Sequence, residues 1–329
     1  MSSDSTTAGL PGTIAHIAYG KANVSFYRTY AAPLVGVTPI PESGFTGRPN
    51  VLFAYDVEVE VLDQTLAPAY TEGDNSLVIA TDTMKNFVHQ VASEFQGATL
   101  EEYLLYLGRR FFQIWDHVHS LRLSGRELPY PAATVPTDDG GFGPSGVLFS
   151  QAPGDFGSAS LDVVRDGDDA RIVAHRCGRE QLHLIKVTGS AFADFVRDQY
   201  TTLPSVKDRP LYIYLDVFWR YEMVEDAVSA DHARYVAPEQ VRDLIATVFH
   251  QFVSMSIQHL MHEMGQRLLA RFPQLAEVSF DGQNRLWDTV VVSDKDDKIK
   301  SYCDPRPPYG SLHLTLKRGD RRQETGDRR

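Results

Sequence analysis

Tyr70-Thr71-Glu72-Gly73-Asp74-Asn75-Ser76-Leu77-Val78-Ile79-Ala80-Thr81-Asp82-Thr83-Met84-Lys85-Asn86 is the stretch on which the reading of this chain turns. A polar turn feeds a short apolar run at 77–80. From Met84 the apolar positions Phe87, Val88, Val91 and Phe95 then recur at helical spacing. The pattern predicts a strand running into a helix, with Thr81 and Asp82 at the junction. Unpaired backbone N–H groups and the positive end of the helix dipole suit such a junction to an anionic ligand. The plainer reading makes Thr81 or Asp82 the helix N-cap.

Outward from this junction, residues 14–30 and 51–62 alternate polar and apolar and predict an antiparallel hairpin, interrupted at Tyr19-Gly20-Lys21-Ala22-Asn23. Thr99-Leu100-Glu101-Glu102 is a capping box, opening a helix with Leu100, Leu104, Leu107, Phe111 and Ile114 on one face. Strands follow at 117–123 and 147–150, so the first half reads β-β-α-α-β-β. The second half repeats that order. It begins near 157–169 and has two strands over 171–188 around Cys177-Gly178, a short helix at 190–200 and a strand at 211–219. Pro238-Glu239 then opens a helix through 249, a longer helix carries Val253, Ile257, Leu260, Met261, Met264 and Leu268 on one face, and strands at 278–292 and 311–316 close the chain. The expectation is an α+β chain of two domains, 1–155 and 156–329, and the duplication rests on the order of elements with no residue-level repeat to quote.

At 329 residues the chain has ample length for two cores of roughly 150 residues each. Its longest apolar runs fall short of a membrane span, so no membrane partner is expected. A net charge of −11 argues against nucleic acid, and the arginines at 321, 322, 328 and 329 read as a solvated tail. An anionic substrate would therefore need a local cationic pocket. Cys177 and Cys303 give neither a disulfide framework nor a Cys-rich metal site, as in a reducing, cytoplasmic setting. Residues 1–12 lack the apolar core of a secretory signal, and the last residues are not a peroxisomal tripeptide.

Gly141-Phe142-Gly143-Pro144-Ser145-Gly146 is a literal G-x-G-x-x-G, but it follows a polar turn and carries a proline where a helix should open, so it reads as loop. His117 with His119, and His259 with His262, have imidazole spacings that could seat a metal, yet neither pair has a further ligand at a recognised offset. No nucleophile-elbow or phosphate-loop motif occurs. The expectation is no metal and no cofactor.

The residues left unexplained carry a resemblance to the urate oxidases, or uricases, running from about residue 14 to residue 310. Tyr19-Gly20-Lys21-Ala22-Asn23-Val24 matches that family's Tyr-Gly-Lys-x-x-Val turn and places its catalytic lysine at Lys21. The stretch at 70–86 matches the segment supplying its catalytic threonine, here Thr81, followed by Asp82. Thr188-Gly189-Ser190-Ala191-Phe192 begins a segment ending at Asp208-Arg209, in which the family's stacking phenylalanine maps to Phe192 and its pairing arginine to Arg209. Ser256-Ile257-Gln258 matches the helix start whose glutamine reads the purine edge, with Ile257 as the neighbouring backbone contact. Gln283-Asn284-Arg285 matches the asparagine turn facing the ring. One position departs from the pattern. Members similar to the fungal and animal enzymes carry a histidine two residues after the asparagine, and here that residue is Leu286. The relay then consists of Lys21, Thr81 and water, or recruits a histidine such as His262 or His313.

The resemblance implies two tandem tunnelling-fold domains, each a four-stranded antiparallel sheet with two helices on one face. It implies cofactor-free oxidation of urate by O2 and water to 5-hydroxyisourate and hydrogen peroxide, in a homotetramer with active sites at subunit interfaces. The residue types suit a flat anionic purine: arginine offers a planar fork, glutamine both donates and accepts, and phenylalanine stacks. Two alternatives stand beside this. One is an enzyme of the same fold acting on pterins or guanine nucleotides, against which Gln258 argues because those relatives use a glutamate. The other is a purine-binding protein without turnover, motivated by Leu286.

Overall fold

The structure, a computed structural model, describes residues 12–152, 154–285, 287–305 and 308–319. Leu286 and the arginine-rich tail lie outside the described residues. The first half contains β1 (Tyr19–Thr29), β2 (Leu52–Val61), a short α1 (Ala67–Thr71), α2 (Thr81–Glu94), α3 (Leu100–Ile114), β3 (Ser120–Glu127), a small hairpin of β4 (Ala132–Pro136) and β5 (Phe142–Phe149), and β6 (Phe156–Asp166). The second contains β7 (Asp169–Lys186), β8 (Leu211–Tyr221), a short α4 (Glu225–Val228), α5 (Pro238–Gln251), α6 (Ile257–Arg271), β9 (Leu275–Arg285), a hairpin of β10 (Thr289–Val292) and β11 (Lys300–Tyr302), and β12 (Tyr309–Lys317). Eight strands form one antiparallel sheet in the order β1-β2-β3-β6-β7-β8-β9-β12.

Alternation decides which face meets the helices. On β2, Phe53, Tyr55, Val57, Val59 and Val61 are buried in one core with Met84, Val88 and Val91 of α2 and Leu104, Leu107 and Phe111 of α3. On β8, Leu211, Ile213, Leu215, Val217 and Trp219 do the same against α5 and α6. The capping box at Thr99 forms as its sequence requires, with Thr99 Oγ1 accepting from Glu102 N and Glu102 Oε2 accepting from Thr99 N.

Several sequence expectations change. Residues 77–80 are not a strand: Val78 N donates to Asn75 O in a turn, and the N-cap of α2 is Ala80, which makes no side-chain cap bond. Thr81 and Asp82 are thus the first two helical residues, and neither is the cap. Residues 190–200 are not a helix, because their amides donate to distant partners, Ala191 N to Ser254 O and Phe192 N to Val206 O. The two strands expected at 171–188 are one strand, β7, whose register slips between Arg179 and Leu182 around Gln181, a residue at φ 60°. The glycine-rich segment taken for loop lies in β5, paired with β4. The first core extends beyond residue 155, since β6 contributes Leu161 and Val163 to it and β7 contributes Ala170. Cys177, further along β7, belongs to the second core.

The structure supplies the residue-level repeat. Gly20 and Gly178 occupy the same register position on β1 and β7, and Gly125 and Gly282 do so on β3 and β9. Arg165 donates to the carbonyls of Trp115 and Val118, and Arg318 to those of Phe272 and Leu275. Gly108 of α3 lies against Leu123 and Val163, where a Cβ would come within 3.0 and 3.2 Å. Gly265 of α6 lies against the matching Phe280 and Leu316, at 3.1 and 2.1 Å. Close helix-to-sheet approach requires glycine at both places.

Where the halves meet, a cluster of charges is partly buried, with Arg179 fully so. Arg48 contacts Glu127 at 2.5 Å and Glu239 at 3.1 Å, and Arg179 contacts Glu127 at 3.2 Å as well as Asp155. Beside them Glu101, 2% exposed, accepts from Tyr235 Oη at 3.1 Å. Burial pushes the Glu101 carboxyl up to about 7. The native state therefore holds a proton that the unfolded chain releases at a lower pH, and stability contributed at acid pH is lost as pH rises through 7. Between pH 5 and 8 this group alone should lower stability by about 3 kcal/mol. Glu101→Gln, which keeps an acceptor for Tyr235 and carries no charge, should flatten that part of the curve. Urea unfolding at several pH values tests it, and an undiminished slope in the variant counts against this role for Glu101.

Candidate active site

A bulge aims Lys21. Val24 pairs with Val57 and Lys21 with Val59, so three residues on β1 span two on β2. Val57 and Val59 both face the helices, and the extra residue brings Lys21 to that side together with Val24. Strict alternation back from Val24 would have pointed Lys21 the other way. Asn23, at φ 54°, takes the left-handed conformation the bulge needs. Nearby, Ile79 N donates to Tyr19 Oη at 2.9 Å and ties the approach to α2 onto β1.

Thr81 and Asp82 then lie in the exposed first turn of α2. Lys85 Nζ sits 2.5 Å from Asp82 Oδ1, and Asn86 Nδ2 donates to Asp82 Oδ2 at 3.3 Å. Lys85 foremost, with Asn86 and Lys21 behind it, holds the Asp82 carboxyl below the usual carboxylate range. Free helical N–H groups, a threonine hydroxyl and two lysines thus converge on one end of the first half.

The second-half group is built on a stapled loop. Asp208 accepts from Thr188 Oγ1 and from Gly189 N, both at 2.7 Å, and Arg209 N donates to Ser190 O at 2.8 Å. Phe192 and Val206 bridge each other, which sets the Arg209 guanidinium 5.5 Å from the centre of the Phe192 ring. Arg209 Nε is buried without a hydrogen-bond partner, and burial pushes the guanidinium's pKa down. Ser256 caps α6, leaving Ile257 buried and Gln258 exposed in its first turn. Asn284 on β9 lies opposite Ile213 and Gly310. It shares the helix side with Gly282, which lies beneath Met261.

Within one protomer the two groups stay apart. Six inter-strand steps of about 4.8 Å, roughly 29 Å along the sheet, separate β1 from β9. His313 pairs with Asp281 and Ser311 on the face away from the helices, so it does not share the side of Asn284. His262 lies one turn along α6 from Gln258, near Gln266. Sequence reading missed Lys85, Asp208 as the loop staple, and Phe195, whose ring stacks on Phe192 at 4.8 Å. The lysine's spacing of three from Asp82 was a legible signal, whereas the other two depend on the path of an irregular loop. Among the described residues no group of three His, Cys, Asp or Glu side chains is placed to hold a metal.

The profile of the family described as Uricase matches residues 17–156 and 175–313. The chain belongs to the uricase family. Relatives include the "Uric acid degradation bifunctional protein PucL" of Bacillus subtilis (strain 168), 43% identical over 94% of this chain, and the "Uricase" of Haloferax volcanii, 44% identical over 92% of this chain and 98% of that one. The chain spans 62% of the length of the Bacillus subtilis protein and 60% of the related bifunctional protein of Bacillus sp. (strain TB-90). The crystal structure of Bacillus sp. TB-90 urate oxidase superposes with a TM-score of 0.88 at 40% identity, covering 92% of this chain and all of that one. Each half is accordingly a tunnelling-fold unit of the uricase kind.

Arg209 generates a prediction that runs against its conspicuous position. A half-buried guanidinium whose Nε has no hydrogen-bond partner among the described residues destabilises the fold that holds it. Arg209→Met should therefore raise stability by about 1 kcal/mol, the size of gain common at sites kept for function. Urea unfolding measures this, and a clear loss of stability would mean that Arg209 has a structural partner.

Proposed function

We propose that this chain oxidises urate with O2 and water to 5-hydroxyisourate and hydrogen peroxide, with no cofactor. The observation that carries the reading is the Arg209 guanidinium beside the Phe192 ring, its buried Nε unpaired among the described residues, in a chain of the uricase family. A planar anion stacked on Phe192 would give Arg209 the bidentate partner it lacks. Gln258 would accept from a ring N–H and donate to a carbonyl, which distinguishes an oxo-purine from an amino-purine. Ile257 would contribute a backbone contact and Asn284 a neutral donor above the ring.

Lys21 and Thr81 are the proton-transfer pair in this reading, with water completing the relay. Asp82 and the free N–H groups of α2 position the substrate's other edge. The urate anion is electron-rich enough to reduce O2 itself, so the protein's tasks are to hold the ring, accept a proton and place oxygen over one face.

The separation of the two groups supports sites shared between subunits. Among the described residues β1 and β12 leave both edges of the sheet unpaired, and pairing with further copies would cover them. We place Lys21, Thr81 and Asp82 of one subunit against Phe192, Arg209, Gln258 and Asn284 of another, in a homotetramer. The free cysteines, one buried and one partly buried, fit a cytoplasmic setting.

Loss of urate absorbance with matching O2 uptake in metal-free buffer tests the activity, and turnover should survive exhaustive chelation. Arg209→Ala should weaken binding of urate and inert purine analogues by about 1.5–3 kcal/mol. Lys21→Met should leave analogue binding largely intact while lowering turnover on the order of 10²–10⁴-fold. Normal turnover by Lys21→Met would sink the assignment. Mixing Thr81→Ala subunits with Arg209→Ala subunits should restore part of the activity, and failure of mixed tetramers to do so would argue that each site belongs to one chain.

A further inference from the structure

Strand register aligns the two halves residue by residue. Lys21 stands on β1 where Arg179 stands on β7: each faces a valine, Val59 or Val217, and each precedes a bulge with a left-handed residue, Asn23 or Gln181. The 14-residue helices α2 and α5 begin after Ala80 and Ala237, so Thr81, Asp82 and Lys85 correspond to Pro238, Glu239 and Arg242. The 15-residue helices α3 and α6 begin after Thr99 and Ser256, so Gln258 corresponds to Glu101. Asn284 corresponds to Glu127, each two residues beyond the matched glycines Gly282 and Gly125. The Phe192–Val206 bridge corresponds to Leu34–Arg48.

The groups assigned above to two subunits thus have counterparts that meet inside one chain. Arg179 and Glu239 come from the second half, and Leu34, Glu101 and Glu127 from the first. In this inner copy the ring position is already filled. Tyr235, 3% exposed, packs in one cluster with Leu34, Val37 and Ala98, and its hydroxyl donates to Glu101 Oε2 at 3.1 Å. It is an aromatic ring in the same buried cluster as the counterpart of Phe192, hydrogen-bonded to the counterpart of Gln258. Arg48 occupies the space between Glu127 and Glu239. Outside these side chains a cavity of about 490 Å³ remains, lined among others by Arg48, Val51, Glu127, Arg179 and Glu239, and Glu239 Oε2 is buried there without a hydrogen-bond partner.

We propose that the junction of the two halves is a second ring-binding site, occupied by the chain's own Tyr235, and that vacating it creates a site for a small planar ring carrying a hydroxyl or N–H donor toward Glu101. Its correspondence with the substrate groups rests on the proposed function, whereas the ring site rests on Tyr235, Leu34 and Glu101 alone. The donor matters because Glu101, once Tyr235 is removed, is a buried acceptor with that partner gone. An apolar ring of the same size would fill the space and leave it unmet.

The test is Tyr235→Ala in the full chain, probed with p-cresol and with toluene by thermal unfolding. The variant should melt below the parent, and p-cresol should raise its melting temperature saturably, by about 2–4 °C at tenfold excess over its dissociation constant, while leaving the parent unmoved. Toluene should do less. Tyr235→Phe, which keeps the ring, should fold and show no p-cresol response. Tyr235→Val is carried beside Tyr235→Ala, and a variant that does not fold alone is refolded with and without p-cresol, recovery only with p-cresol supporting the site. The proposal is overturned if p-cresol neither stabilises nor rescues either small variant, if toluene matches it, or if Tyr235→Phe responds equally. None of these readouts involves urate, so a chain inactive on urate would remove the proposed function and leave this result standing.

Discussion

The pairing of β6 with β7 governs the rest of the molecule. It joins two complete β-β-α-α-β-β units edge to edge, along a register from Phe156–Glu180 to Asp166–Asp169, and so makes one sheet of two. Once that seam is closed, β1 and β12 are forced to the outer edges. Lys21 on β1 then stands at one edge of the sheet, and Asn284 on β9 lies six strands away from it. The seam also dictates which contacts are intramolecular, because the start of α5 and the end of β3 meet inside the chain.

Buried charge at that seam follows from the same geometry. Arg48, Arg179, Glu127, Glu239 and Asp155 sit where two helix–sheet layers abut, paired with one another. Such a set adds little net stability over well-packed apolar side chains, yet removing one member leaves its partners stranded. Its members come from both sides of the seam, Arg48 and Glu127 from the first half and Arg179 and Glu239 from the second. The apolar cores lie on either side, one around Met84 and Tyr103 and the other around Met264 and Leu244, with Val228 packed against both.

Much of this was legible in the chain. The capping box at Thr99, the proline opening α5 and the alternation of β2 each carry their structural cause in a few adjacent residues, and each element formed where its cause lies. Features set by distant partners were not legible. Residues 77–80 have the composition of a strand but no neighbouring strand to pair with, and 190–200 have an apolar spacing that the bonds to Ser254 and Val206 override. The bulges at Asn23 and Gln181 exist only relative to β2 and β8. The repeat was hidden because its signals are single residues, such as Gly108 and Gly265 or Arg165 and Arg318, separated by long unlike stretches. At the candidate site the residue identities came from a family resemblance. The unpaired Nε of Arg209 and the turn of Lys21 toward the helices are properties of the folded chain only.

The two covalently joined copies also change the genetics of the fold. In an assembly of identical small units, one codon change alters every equivalent position at once, so a substitution harmful at any of them is harmful at all. Here Thr81 and Pro238, or Gln258 and Glu101, are separate codons, and each can drift under its own selection. One copy of a surface is then free to fill with the chain's own side chains and become an internal weld, while its twin keeps an open face.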